Sequence, residues 1–141
     1  MIKKLAVFLD SDVIISSLIS KNGVAYLLIN NEKITKYISN ISLKEIEVVI
    51  KRLKLNLKNF KNILTNFKVI TLKNDLNDIK NEYNIFVTDQ NDAHIICGAK
   101  EKSVDFLITY NIKHYKKDII KQNLKIITLT PALFLQYLRS L

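Results

Sequence analysis

The chain has 141 residues with 22 Lys plus Arg against 13 Asp plus Glu, a formal charge of +9, and is long enough for one domain around one buried core. Its two glycines exclude a Walker loop and a dinucleotide fingerprint, which need clustered glycines, and with them a nucleotide-cradling ATPase or dehydrogenase. Its one cysteine, Cys97, excludes an internal disulfide, and no His/Cys spacing suits zinc.

Surplus positive charge favours phosphate-rich partners through counterion release. The abundance of Lys, Asn and Ile is also what an AT-rich genome would encode, so the charge permits a nucleic-acid partner without requiring one. Cys97 lies in the apolar stretch Ile95–Ala99 and reads as a small core residue. Lys3 and Lys4 precede an apolar run, but Asp10 and Asp12 interrupt it and no small-residue cleavage site follows, unlike a secretory signal. No run approaches the roughly 20 apolar residues of a membrane span. A cytoplasmic protein with no membrane partner is expected.

Leu5–Leu9 reads as a fully buried strand. Helices follow at 13–19 and 24–29, separated by Lys21-Asn22-Gly23. Residues 35–38 form a short strand. The clearest helix carries Ile46, Val49, Ile50 and Leu53 at i, i+3, i+4, i+7, and 57–67 continues helically. A strand at 69–72, a weaker helix at 75–83 and a stronger one at 89–100 come next. Strands at 106–109 and 125–129 precede a last helix, with Thr130 as cap and Pro131 in its first turn. Strands alternating with helices predict an α/β domain with a parallel sheet.

Acidic residues recur at one edge of that sheet. Asp10 and Asp12 follow the first strand, Glu45 opens the amphipathic helix, Asp89 and Asp92 open the later helix, and Thr109, Tyr110 and Asn111 leave the next strand. In a parallel sheet, strand ends and the helix starts that follow them share an edge. Carboxylates gathered there suit a hard divalent cation such as Mg²⁺.

Each acid also has a structural reading. Ser42-Leu-Lys-Glu45 is a capping box, and Asp89 with Asp92 is what a helix start favours electrostatically. Asp12 fits a first-turn acid. Asp10 has the least structural excuse, because nothing in the preceding strand asks for a carboxylate. His94, between apolar neighbours, reads as a partly buried helix residue. His114 lies among Lys113, Lys116 and Lys117, a surface that suits phosphate as well as solvent. No G-x-S-x-G nucleophile elbow occurs. Tyr26, Tyr37, Tyr83 and Tyr110 could stack on bases or fill core.

With these blocks in hand, the sequence resembles the PIN-domain family over essentially its whole length. The resemblance is carried by Val7-Phe-Leu-Asp-Ser-Asp-Val-Ile-Ile15, Ile41-Ser-Leu-Lys-Glu-Ile-Glu-Val-Val-Ile50, Asp89-Gln-Asn-Asp-Ala-His-Ile-Ile96, Phe106-Leu-Ile-Thr-Tyr-Asn-Ile-Lys-His114 and Ile127-Thr-Leu-Thr-Pro-Ala-Leu-Phe-Leu135. The nearest likeness is to the bacterial toxins related to VapC. It implies a single PIN-like domain over 1–141, a three-layer α/β/α fold with a central parallel sheet, and Mg²⁺- or Mn²⁺-dependent cleavage of single-stranded RNA.

By position, the resemblance makes Asp10, Glu45 and Asp92 the acids that bind metal and act in catalysis. Asn111 takes the fourth position, where many relatives have Asp. Ser11, Asp89 and Thr109 become supporting residues, and Lys113, His114 and Lys116 candidate RNA contacts. An antitoxin protein and a homodimer are the implied partners. Asn111 lacks charge and would hold a second ion less firmly, so a catalytically weak RNA- or protein-binding domain is the alternative. A haloacid-dehalogenase-type phosphatase would also begin Asp10-Ser-Asp12, but it expects its acidic pair after the threonine motif, whereas Asp89 and Asp92 precede Thr109.

Overall fold

Five short strands, all parallel, form the centre of the computed structural model, which describes residues 4–141. Lys3, of the Lys3–Lys4 pair, lies outside the described residues. In chain order the strands are β1 (Leu5–Leu9), β2 (Ile34–Ser39), β3 (Phe67–Ile70), β4 (Phe106–Ile108) and β5 (Ile127–Leu129). They lie side by side as β3-β2-β1-β4-β5. The helices are α1 (Ser11–Ile19), α2 (Val24–Ile29), α3 (Asn40–Leu53), α4 (Leu57–Leu64), α5 (Leu76–Tyr83), α6 (Ala93–Glu101), α7 (Lys117–Leu124) and α8 (Pro131–Arg139).

Alternation of side chains along the central strand separates two cores. Val7 and Leu9 pack with Ile14 of α1, Leu28 of α2, Ile46 of α3 and Phe134 of α8. Phe8 points the other way, among Ile79 of α5, Ile96 of α6 and Ile120 of α7. The chain is therefore a three-layer α/β/α domain, as expected, and the continuous apolar character of β1 reflects burial on both faces. Gly98 lets α6 approach this strand: a Cβ there would stand 2.6 Å from Phe8 Cε2. Among the described residues no helix is long and apolar enough to cross a membrane.

One buried strand position carries a charge. Lys36 of β2 is buried, and its Nζ donates to Ile29 O at 2.6 Å and Asn31 O at 2.9 Å. Burial lowers its pKa from the usual lysine value. These bonds fasten the α2–β2 connection to the sheet and satisfy a group that would otherwise be costly to bury.

Several boundaries differ from expectation. Helix α4 stops at Leu64 rather than continuing to Phe67, because Phe67 is buried and pairs with Lys36 as the first residue of β3. That strand runs 67–70 rather than 69–72; beyond it, Leu72 N donates to Asn40 Oδ1 at 2.8 Å. The segment 89–100 is not one helix, since a 3-10 turn, Gln90–Asp92, precedes α6. The capping box at Ser42 does not form. Helix α3 is already under way at Asn40, and Ser39 caps it by accepting from Ser42 N at 3.1 Å. Glu45 therefore sits in the second turn of α3 instead of opening it. Thr130 and Pro131 start α8 as expected, with Thr130 Oγ1 accepting from Leu133 N at 3.3 Å.

Candidate active site at the carboxyl edge of the sheet

Strand β1 has β2 on one side and β4 on the other, so the strand order reverses beside it. Crevices that bind ligands open at the carboxyl ends of strands at such switch points. Asp10, the first residue past β1, donates its backbone N–H to Ile108 O at 3.0 Å, while Thr109, the first past β4, donates to Leu129 O at 3.0 Å. The two residues are thus held next to each other at the crevice. Thr109 Oγ1 donates to Asp10 Oδ2 at 2.9 Å and accepts from Asn111 N at 3.0 Å.

Asp10 is almost fully buried, at 9% exposure. Tyr115 Oη donates to the same Oδ2 at 2.7 Å, and Ser11 N donates to Oδ1 at 2.7 Å. Asp10 is also the N-cap of α1. The expectation that Asp10 has the least structural excuse of the acids is corrected: the strand makes no use of it, but the helix that follows does.

Asp12, read from the sequence as a first-turn acid, belongs to the same cluster. Its Oδ2 accepts from Tyr110 N at 3.2 Å and lies 3.5 Å from Thr109 Oγ1, while its Oδ1 is buried without a partner. Burial first, and then the charge of Asp10, push its pKa from 3.8 up to about 7. The spacing Asp-Ser-Asp across a strand–helix junction was the available signal, since both acids then fall on one edge.

Asp92 closes the 3-10 turn and is partly buried. Its Oδ2 lies 3.2 Å from His114 Nδ1 without forming a well-aligned hydrogen bond. Burial and then the Asp10 charge raise its pKa, and His114 opposes the rise. The segments carrying these residues are joined by backbone bonds. Thr88 N donates to His114 O at 2.9 Å, Lys116 N donates to Phe86 O at 2.9 Å, and Val87 bridges Tyr115. That zipper seats Tyr115 below the acids and His114 beside Asp92. Burial and the Asp10 charge hold the Tyr115 phenol protonated far above the usual tyrosine range, so it acts as a donor. Sequence reasoning missed Tyr115, which is 105 positions from its partner.

Glu45 is placed differently. It is exposed, and its Oε1 pairs at 3.1 Å with Nε2 of buried His94 instead of joining the hydrogen bonds around Asp10. Asn111 is exposed just past Thr109, and Asp89 is exposed and caps the 3-10 turn by accepting from Asn91 N at 2.9 Å. Ser11 has its Oγ buried without a partner. Lys113, His114 and Lys116 are exposed around Tyr115, and Tyr110 is 44% exposed above Asp12.

Among the described residues no three His, Cys, Asp or Glu side chains are already arranged around a metal position. The donor chemistry nonetheless fits a hard divalent cation. Two carboxylate oxygens, Asp12 Oδ1 and Asp92 Oδ2, and the Ser11 hydroxyl are buried without hydrogen-bond partners. Asp12 and Asp92 are both made more basic by burial and then by the charge of Asp10. A cation such as Mg²⁺ needs only one or two carboxylates and keeps several waters.

The architecture and this edge define an α/β/α domain whose switch point gathers carboxylates close to the exposed cationic stretch 113–116. The PIN domain model matches residues 6–113, and the chain belongs to the PIN-domain family. Members are generally nucleases, and they generally use divalent metal ions. Membership removes the phosphatase alternative. No curated protein sequence matches the chain significantly. Among solved structures, the chain is similar in fold to a chain of VapBC2 from Rickettsia felis bound to a DNA fragment from its promoter, with TM-score 0.63 and 18% identity, covering 89% of this chain and 98% of the other.

Proposed function

We propose that the protein is a metal-dependent endoribonuclease that hydrolyses single-stranded RNA, and the toxin half of a toxin–antitoxin pair. The observation that carries the nuclease reading is the convergence of Asp10, Asp12 and Asp92 at the switch point, with two buried carboxylate oxygens that accept no hydrogen bond. Membership of a family of nucleases supports it, as does the fold shared with a VapBC2 chain.

Asp10, Asp12 and Asp92 would hold Mg²⁺ or Mn²⁺, with Glu45 or Asn111 added by side-chain rotation. A bound ion would supply Lewis-acid polarisation of a phosphate and a water of lowered pKa. The protein's own side chains do the remaining work. Thr109 and Tyr115 fix the orientation of the Asp10 carboxylate, and His114 faces Asp92. Lys113 and Lys116 stand where an RNA backbone would approach, giving binding that weakens with salt. A small antitoxin covering the crevice and pairing of two copies of the chain complete the reading.

The second reading is a PIN domain that binds RNA or protein and cuts weakly. It is favoured by the placement of Glu45 on His94 and by Asn111 in the fourth position. A cleavage assay on single-stranded RNA with Mg²⁺ or Mn²⁺ separates the two. The nuclease reading expects cutting by the wild type, its loss in Asp10→Asn and Asp92→Asn, and a gain in Asn111→Asp. Cutting undiminished in both aspartate variants would refute the site.

A further inference from the structure

A groove of about 610 Å³ lies between the start of α3 and α5, and of its lining only Glu45 enters the proposed cation site. It opens where β2 and β3 end, at Asn40 and Leu72. The order of the strands fixes its place along the sheet edge. The groove lies past β2 and β3, Asp10 past β1, and Thr109 with the Lys113–Lys116 stretch past β4. A strand of nucleic acid laid across the edge would pass the cationic stretch, then the acids, then the groove. Neighbouring strands are about 4.8 Å apart, so the groove begins roughly 5–10 Å from Asp10, near the reach of one nucleotide.

Its lining joins aliphatic walls to charged and amide groups of the kind that engage a nucleotide. Lys44 and Lys80 supply positive charge, and Glu45, its nearest acid, is engaged by His94. Asn74, Gln90 and Asn91 offer amide donors and acceptors, the groups that pair with base edges. His94 also lines it, 5% exposed, with Nδ1 lacking any hydrogen-bond partner. A buried polar atom without a partner is uncommon in folded proteins and calls for an explanation. Gln90 and Asn91 belong to the turn that ends in Asp92, so whatever fills the groove touches the segment that positions a site acid.

We infer that this groove is a nucleotide subsite, one that grips a phosphate of single-stranded RNA with Lys44 and Lys80 and reads the adjoining base with its amides. The inference rests on the ribonuclease reading and adds a source of sequence preference to it. The walls are aliphatic, Ile41, Leu72 and Leu76, so the base is recognised by its edge more than by stacking.

The test uses the full chain with Asp10→Asn to prevent cutting, and a fluorescent single-stranded RNA decamer titrated across a range of salt. Adding Lys44→Ala with Lys80→Ala should weaken binding about tenfold or more and reduce the salt slope by about 0.7, the value for one phosphate contact on a single strand. Lys51→Ala with Lys58→Ala, outside the groove, should change neither. In chains with Asp10 intact, Gln90→Ala with Asn74→Ala should broaden the cleaved sequences while cutting continues. Circular dichroism and thermal melts confirm that each variant is folded. Unchanged affinity and salt slope, with wild-type cutting intact, would overturn the subsite and leave the groove to a peptide, while the ribonuclease reading stands. Absence of any RNA cutting by the wild type would instead remove the reading beneath it.

Discussion

Tyr115 Oη donates a 2.7 Å hydrogen bond to Asp10 Oδ2 across 105 positions of sequence. It shares that oxygen with Thr109 Oγ1 at 2.9 Å. The central acid of the crevice is therefore held from two sides, by the end of β4 and by the residue that bridges to Val87. Neither donor changes protonation in the physiological range: one is an aliphatic alcohol, and the phenol is held far above its usual pKa.

Tyr115→Phe keeps the buried ring and removes only the hydroxyl. A hydrogen bond to a charged group contributes about 1.5–3 kcal/mol, so urea unfolding should show a loss of that size. With Asp10 no longer held on that side, turnover on RNA should drop about tenfold, equivalent to about 1.4 kcal/mol, while KM stays near wild type. Thr109→Val should act in the same direction. A variant with full turnover and full stability would show that the bond positions nothing.

Asp12 gives a pH dependence whose sign can be worked out. Its pKa is about 7 in the folded chain against 3.8 ordinarily, so the folded state holds a proton that the unfolded state has released. The stabilisation this brings is fully present below the unfolded value and is lost as pH rises through about 7. Asp92 shifts in the same direction. The metal-free protein should melt at a higher temperature at pH 5.5 than at pH 8. Asp12→Asn should raise the pH 8 value and flatten the profile. A Tm that climbs from pH 5.5 to 8 in wild type would contradict this arrangement of charges.

Divalent cations should act on the same groups. At pH 8, adding Mg²⁺ or Mn²⁺ should raise the Tm in proportion to the logarithm of concentration once it exceeds the dissociation constant, and EDTA should reverse the shift. The gain should shrink in Asp92→Asn. An equal gain in wild type and in the variant would place the ion elsewhere.

Gly98→Ala tests the packing that supports the site. The new Cβ would stand 2.6 Å and 2.8 Å from two atoms of the Phe8 ring, two residues before Asp10. Overpacking of this kind costs about 1–3 kcal/mol, readable by denaturant unfolding. Phe8→Leu in the same chain should recover part of the loss. A neutral Gly98→Ala would mean that α6 and β1 adjust without strain.

The layers of the fold were legible because they rest on local patterns. A continuous apolar β1, the 3.6-residue stripe of α3 and the Thr130-Pro131 start of α8 each declare themselves within a dozen residues. Asp10 was legible as an acid at the end of a buried strand. What the sequence hid was long-range or decided by competition. Tyr115 reaches Asp10 only because residues 86–88 and 114–116 pair. Ser39 outcompetes Ser42 as the cap of α3 because β2 ends there, which moves Glu45 into the second turn and onto His94. Asp12 looked like an ordinary helix-start acid because its position satisfies that role and the cluster together.

The central claim is that Asp10 anchors a cation-dependent site for cutting RNA. Cleavage of single-stranded RNA by purified wild type and Asp10→Asn, each with Mn²⁺ and with EDTA, tests it most directly. The account predicts cutting by the wild type with Mn²⁺ alone, abolished by EDTA and reduced at least a hundredfold, about 2.7 kcal/mol in barrier, by Asp10→Asn. Cutting that survives EDTA, or that is equal in the two proteins, would contradict it.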